Sequence, residues 1–192
     1  MITINSKEDC MGCYACKSIC PKNCIEMESD NEGFWYPVVN YDVCIHCGLC
    51  IKVCPIIQLS KEEEVDHGVP RAFAAYNHDD AIREASSSGG LFTLIAQDIL
   101  ATGGVVFGAR FDEDFDVVHT YAENLDDLDM FRGSKYTQSR IGTSYVQARK
   151  FLQDGCPVLY TGTPCQIAGL KHFLGRDYDN LFCQDIICHG VP

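Results

Sequence analysis

Cys10-Met11-Gly12-Cys13-Tyr14-Ala15-Cys16-Lys17-Ser18-Ile19-Cys20-Pro21 is matched, spacing for spacing, by Cys44-Ile45-His46-Cys47-Gly48-Leu49-Cys50-Ile51-Lys52-Val53-Cys54-Pro55. In each run three cysteines follow one another with two residues between them, and a fourth follows after three intervening residues, before proline. Three thiolates at that spacing wrap a tight loop around the corners of a 4Fe–4S cube. The fourth opens a short segment leading away and reaches a different cube. The duplication therefore predicts one cluster on Cys10, Cys13, Cys16 and Cys54 and a second on Cys44, Cys47, Cys50 and Cys20. Structural zinc is the competing chemistry, but it takes two separated pairs of ligands with a longer spacer, and these runs fit that pattern badly. Two cubes in so short a stretch lie close enough for electrons to hop between them, so the module carries electrons and does no bond chemistry itself.

Between the two runs, residues 25–29 and 34–39 read as a hairpin turning at Asp30-Asn31-Glu32-Gly33, the middle of a ferredoxin-like α+β fold. Cys24 stands where such a module packs a small core residue and reads as a buried thiol, not a ligand. His46, inside the second loop, reads as packing.

The rest of the composition narrows the setting. Thirteen cysteines in 192 residues raise the possibility of a disulfide scaffold. The number is odd, nine of the thirteen lie between Cys10 and Cys54, and the N-terminus Met1-Ile2-Thr3-Ile4-Asn5-Ser6-Lys7 lacks the apolar core of a secretory signal. Reduced thiols imply a reducing, cytoplasmic compartment. No apolar run approaches the roughly 20 residues that span a bilayer, so no membrane insertion is expected. A net charge of −12 without an offsetting basic patch argues against nucleic acid. Eight acidic and no basic residues fall between Phe111 and Phe131, which reads as a solvated surface. Asp112, Asp114, Asp116 and Glu123 imitate calcium-loop spacing, but Val117 stands where that loop needs glycine, so an acidic hairpin turn is the better reading.

The chain divides into a cysteine-dense module at 1–58, a polar linker at 59–71 containing Lys61-Glu62-Glu63-Glu64 and Gly68-Val69-Pro70, and a mixed α/β domain at 72–192. Strands are expected at 72–76, 105–111, 117–122, 157–160 and 181–187, the last two buried. Helices are expected at 88–102, 125–131, 143–153 and 164–174. The final strand is followed within a few residues by His189-Gly190-Val191-Pro192, and so apolar a strand needs cover on both faces. The expectation is a domain truncated at its C-terminus.

Three loops of the α/β part could hold a cofactor. Ser86-Ser87-Ser88-Gly89-Gly90 opens a helix, where backbone N–H groups and the helix dipole favour an anion, although serine also caps helices without any ligand. Arg132-Gly133-Ser134-Lys135-Tyr136-Thr137-Gln138-Ser139 is polar with an aromatic. Thr161-Gly162-Thr163-Pro164-Cys165-Gln166 joins a strand to a helix, the place where α/β sheets bind ligands.

Together with Cys188-His189-Gly190-Val191-Pro192, these stretches resemble the beta-subunit family of coenzyme F-420 hydrogenases and dehydrogenases, in members that carry the two-cluster module fused at the N-terminus. The resemblance implies a flavoprotein domain with FAD against Ser88, Gly89 and Gly90 and the loop of Ser134, Lys135, Tyr136 and Thr137. In it Lys135 neutralises flavin or phosphate charge. It also implies that Cys165 and Cys188 are two of four ligands of a third 4Fe–4S cluster, whose remaining ligands lie beyond this sequence. Cys156 and Cys183 match nothing in the family and read as buried. The implied activity is an FAD and iron–sulfur oxidoreductase working with a redox partner subunit and a small-molecule electron donor or acceptor such as a deazaflavin. The catalytic residue, the direction of flow and the substrate are not legible.

Two rivals come from other classes. Cys165 at a helix N-terminus with His189 as base would make a cysteine hydrolase, though nothing in the sequence joins the two. A ferredoxin-like carrier or adaptor without flavin is the stronger rival: it predicts clusters alone.

Overall fold

The computed structural model describes residues 1–4, 6–59 and 69–190. Residues 60–68 of the expected linker, and Val191 and Pro192 of the terminal motif, lie outside the described residues.

The two cysteine runs form one backbone shape twice. Within each, a single helical turn begins: α1 at Ala15–Ser18 and α2 at Leu49–Lys52. The residue entering each turn is left-handed, Tyr14 at φ 64° and Gly48 at φ 76°. Two positions earlier the same geometry recurs, in Gly12 at φ 57° and His46 at φ 54°. Each loop thus uses glycine at one of its two left-handed positions and a side-chain-bearing residue at the other. Tyr14 is held there by burial, with 4% exposure. His46, expected as packing, is exposed and has no such compensation. The left-handed conformation costs an L-residue about 1–2 kcal/mol, and the gain in unfolded-chain freedom on changing to glycine offsets part of that. His46→Gly is accordingly expected to raise stability by about 0.5–1 kcal/mol, read as a higher urea midpoint with an unchanged slope.

A hairpin of β1 (Ile25–Ser29) and β2 (Trp35–Val39) pairs Ile25 with Val39 and Ser29 with Trp35. Asp30 shapes its turn by accepting from the N–H groups of Glu32 and Phe34. After Cys54 the chain leaves the module through α3 (Pro55–Leu59), with proline at the first helical position, where its missing N–H costs nothing.

The remainder comprises α4 (Asp80–Glu84), α5 (Leu91–Ala101), β3 (Val105–Phe111), β4 (Val117–Ala122), a 3-10 segment at Asp126–Phe131, α6 (Ser144–Gln153), β5 (Val158–Gly162), α7 (Pro164–Leu174) and β6 (Leu181–Asp185). The four strands form one sheet in the order β4-β3-β5-β6, with β3 antiparallel to β4 and parallel to β5, and β5 parallel to β6. Strand alternation sends Val105, Phe107, Val158 and Tyr160 to one face and Val106 and Leu159 to the other. The second face is covered by Ala96 and Ile99 of α5 and by Leu128 and Phe131. The first face packs on Tyr145, Ala148 and Leu152 of α6 and on Leu170 and Phe173 of α7. The same cluster of buried side chains continues into the cysteine module through Tyr14, Ala15, Cys16, Ile25 and Val53. The module and the sheet therefore share one core.

Two expectations fail, and a third is met in a tighter form. Residues 72–76 form no strand: Phe73 and Tyr76 are exposed, and among the described residues no ladder partner adjoins them. Residues 126–131 close as 3-10 rather than α-helix. Residues 181–187 are not a buried strand. β6 ends at Asp185 on the sheet edge, with Phe182 half exposed and Ile187 almost wholly so.

Candidate functional site

The eight cysteines of the two runs divide between two cavities. Cys10, Cys13, Cys16 and Cys54 line one, with Ile2, Tyr14 and Met27, enclosing about 450 Å3 with its open mouth. Cys20, Cys44, Cys47 and Cys50 line the other, of about 370 Å3, with Cys24 and Ile25. Cys54 thus stands with the first run and Cys20 with the second. Among the described residues no three His, Cys, Asp or Glu side chains close on one point as the ligands of a single ion do. A cube instead takes thiolates at separate corners, and its ligands line a chamber.

Backbone N–H groups point at these sulfurs. Gly12 donates to Cys10, Ala15 to Cys13 and Lys17 to Cys16. In the other cavity Ile2 N–H lies 3.1 Å from Cys50 Sγ. Such bonds stabilise thiolate charge and are among the determinants of cluster potential. Burial nonetheless pushes the Cys13 thiol up to about 12 and raises Cys10 and Cys16, so ionising them requires the positive charge of bound iron. At Cys20 burial acts upward too. There the N–H groups of Cys24, Lys22 and Asn23, with the Cys24 thiol, outweigh it and the pKa is lowered. Cys24 is buried, its sulfur 3.4 Å from that of Cys20, and the bond to Cys20 pushes its own thiol up to about 11. Gly12 has a second reason to be glycine: a Cβ there would sit 2.8 Å from Trp35 O.

The α/β domain touches the first cavity directly. Cys165, at the start of α7, forms part of its wall, with its sulfur 3.1 Å from Thr163 Oγ1. Tyr145 Oη shares its proton between Gln166 O at 2.7 Å and Cys13 O at 2.9 Å. Gln138 Nε2 donates to Met11 O and Gly12 O at 2.9 and 3.2 Å. Cys188 is exposed on the segment after β6, which is tied to the end of β5 by Ile186 N–H donating to Gly162 O at 2.9 Å. Cys156 and Cys183, expected buried, are each partly exposed. No described bond joins Cys165 to His189.

Beneath these contacts runs a buried polar chain that the sequence did not announce. His119 Nε2 is 2.8 Å from Thr161 O, so that nitrogen carries the proton. Nδ1, 2.7 Å from Ser139 Oγ, therefore accepts, and Ser139 Oγ in turn accepts from Gln166 Nε2 at 2.9 Å. Burial holds the His119 pKa down at about 4, against an ordinary 6.5. The unfolded chain thus takes this proton near pH 6.5 and the folded chain does not until about pH 4. The resulting stability is complete above pH 6.5 and is lost as pH falls towards 4. Between pH 7 and pH 5 the wild type should lose roughly 2 kcal/mol relative to His119→Gln, measured by urea unfolding of both proteins side by side, so that any acid lability of bound iron cancels.

The expected cofactor loops come together in part. Ser88 is exposed, Gly89 half-buried and Gly90 buried, and Gly90 enters α5 in the left-handed conformation with no side-chain cap. Gly89 O accepts from Asn77 N–H at 2.7 Å. The Ser134–Thr137 stretch approaches this helix start through its neighbours: Arg132 Nε donates to Thr93 Oγ1 at 3.2 Å, and the Phe92 and Phe131 rings meet edge-on. Tyr136 is exposed. Lys135 is committed locally, with Nζ donating to the carbonyls of Met130, Phe131 and Arg132 at 2.9–3.2 Å, and burial lowers its pKa.

Comparison with known proteins bears on these features directly. Residues 9–56 match the 4Fe-4S dicluster domain, and residues 72–144 match the coenzyme F420 hydrogenase/dehydrogenase beta-subunit N-terminal domain. The chain thus joins a two-cluster iron–sulfur domain to an N-terminal domain of the coenzyme F420 hydrogenase/dehydrogenase beta-subunit type. Among its relatives, an F(420)H(2) dehydrogenase subunit of Methanosarcina mazei is 25% identical over 166 residues, 82% of this chain and 46% of that protein. An NADH-quinone oxidoreductase subunit of Geobacter metallireducens is 32% identical over 84 residues, 41% of this chain and 59% of that protein. The pyruvate synthase subunit PorD of Methanothermobacter marburgensis is 33% identical over 58 residues, 30% of this chain and 62% of that protein. The chain thus spans about half the length of its F(420)H(2) dehydrogenase relative. It is an iron–sulfur electron-transfer protein related to subunits of oxidoreductases. Among the described residues no helix is long and apolar enough to cross a membrane.

Proposed function

We propose that the chain is the iron–sulfur flavoprotein component of an oxidoreductase, moving single electrons through two 4Fe–4S clusters to or from an FAD that serves a soluble substrate such as a deazaflavin. The observation that carries it is the division of eight cysteines between two cavities, each supplied with backbone N–H donors to sulfur. In this reading Cys10, Cys13, Cys16 and Cys54 hold one cluster and Cys44, Cys47, Cys50 and Cys20 the other. The module holds the pair in a fixed relation because it is packed into the same core as the sheet.

FAD, when bound, supplies the step between one-electron and two-electron chemistry. The chain's contribution is the uncapped N-terminus of α5 at Ser88, Gly89 and Gly90, which can receive a phosphate, beside the loop of Ser134, Lys135, Tyr136 and Thr137. With its ammonium protons on three carbonyls, Lys135 shapes that loop and tempers phosphate charge through space. In the same reading Cys165 and Cys188 supply two of the four thiolates of a third 4Fe–4S cluster. The setting is cytoplasmic, with a partner subunit at the far end of the electron path.

One observation favours a carrier without flavin, the internal commitment of Lys135. Anaerobic analysis of iron, sulfide and flavin separates the two readings. About eight irons and eight sulfides per chain, with one flavin, are expected. Full iron without flavin supports the carrier, and zinc in place of iron and sulfide overturns both.

A further inference from the structure

The two cavities are built from the same cysteine pattern, yet their walls differ. The second is enclosed entirely by residues between Met1 and Cys50, within the module. Cys47 of that cavity is exposed, as are Ile45 and Val43 beside it. The first includes Cys165 from α7, and none of Cys10, Cys13, Cys16 and Cys54 is exposed. The α/β domain grips the first loop at successive carbonyls: Gln138 binds Met11 O and Gly12 O, and Tyr145 binds Cys13 O. Arg140 lies over the Trp35 ring at 4.9 Å, and Trp35 O in turn abuts Gly12. Both ends of the grip are tied together, because Gln166, whose carbonyl shares the Tyr145 proton, also donates to Ser139, next to Gln138.

We propose that the Cys10–Cys13–Cys16–Cys54 site is the junction through which electrons pass between the module and the α/β domain, with Gln138 and Tyr145 as its positioning residues, while the second site is self-contained and faces outward to a one-electron partner. This rests on the functional reading above. Electron tunnelling falls steeply with distance, and the first site is the one whose wall the α/β domain completes. Each electron crossing oxidises one site as it reduces the other, with no bond made or broken. The loop grip also sets the first site's potential. The Met11, Gly12 and Cys13 carbonyls flank the N–H groups that reach sulfur, and their hydrogen bonds to Gln138 and Tyr145 fix how those N–H groups point.

The test is an anaerobic redox titration of the full chain with titanium(III) citrate, followed by electron paramagnetic resonance. Cys10→Ser and Cys47→Ser identify the two signals, since each alters one; where a serine variant loses its cluster, the signal that survives belongs to the other site. Gln138→Ala and Tyr145→Phe should each shift the midpoint and line shape of the Cys10 signal and leave the Cys47 signal unchanged, with full iron retained. A shift of the Cys47 signal, an equal shift of both, or no shift in either variant overturns the inference. Wild-type chain without iron and sulfide overturns the functional reading and the inference with it. Wild-type chain with iron but no flavin leaves the titration fully informative about the junction.

Discussion

Cys13→Ala is expected to cost the protein half its iron or more and, with it, more than about 4 kcal/mol of stability, an effect in the class of losing a structural metal. The reason lies in where Cys13 stands. Its carbonyl accepts from Tyr145 and its side chain packs against the core shared with α6 and α7. Emptying the first site leaves the side chains of Cys10, Cys16 and Cys54 around a chamber with nothing to fill it, against the start of α7. Cys47→Ala is the contrast: its residue is exposed, so it should lose the second site's iron while the α/β domain melts close to the wild type. Iron analysis and thermal unfolding of the two variants check the pair. Equal destabilisation by both would mean that the sheet does not lean on the first site.

Gly169→Val is the second large effect. This glycine lies in the middle of α7, where alanine would ordinarily be better by about 1 kcal/mol. A Cβ there would approach Tyr145 Oη to 2.9 Å and Cys13 Cβ and O to 3.1 Å. The helix has traded intrinsic propensity for close contact with the cluster loop. Valine adds two methyl groups beyond that Cβ, and overpacking of this kind costs about 1–3 kcal/mol. The expected result is a loss at the upper end of that range, with the module becoming susceptible to proteolysis ahead of the sheet. Lys171→Ala, on an exposed position of the same helix, is the control and should change little. A wild-type urea midpoint for Gly169→Val would show that α7 can move away from Cys13 at no cost.

What could be read from the sequence follows from what is local. Cysteine spacing is a local property that carries its own geometry, and period-two and helical patterns placed β3, β4, α5, α6 and α7 close to where they lie. The α/β junction could not be read in that way. Gln138 meets Met11 across 127 positions and Tyr145 meets Cys13 across 132, and neither residue belongs to a spacing motif. Gly169 carried a faint signal, a glycine inside an otherwise regular helix, and such glycines commonly mark a close approach. His119 looked like any strand residue, and its proton inventory emerges only when Thr161 O and Ser139 Oγ are placed beside it. Residues 72–76 and 181–187 show the reverse error. Their apolar composition suits a buried strand, but such a strand also needs cover, and among the described residues Phe73, Tyr76, Phe182 and Ile187 lack it.

The crossing of fourth cysteines has a topological consequence. Cys54 belongs to the chamber of the first loop and Cys20 to that of the second, so each chamber is closed by the arm of the other, like two links each carrying the other's clasp. Neither can be completed while the opposite half of the module is unfolded, and opening one releases the thiol that shuts its neighbour. Each site can therefore be filled only once both halves of the module have come together, whichever site fills first.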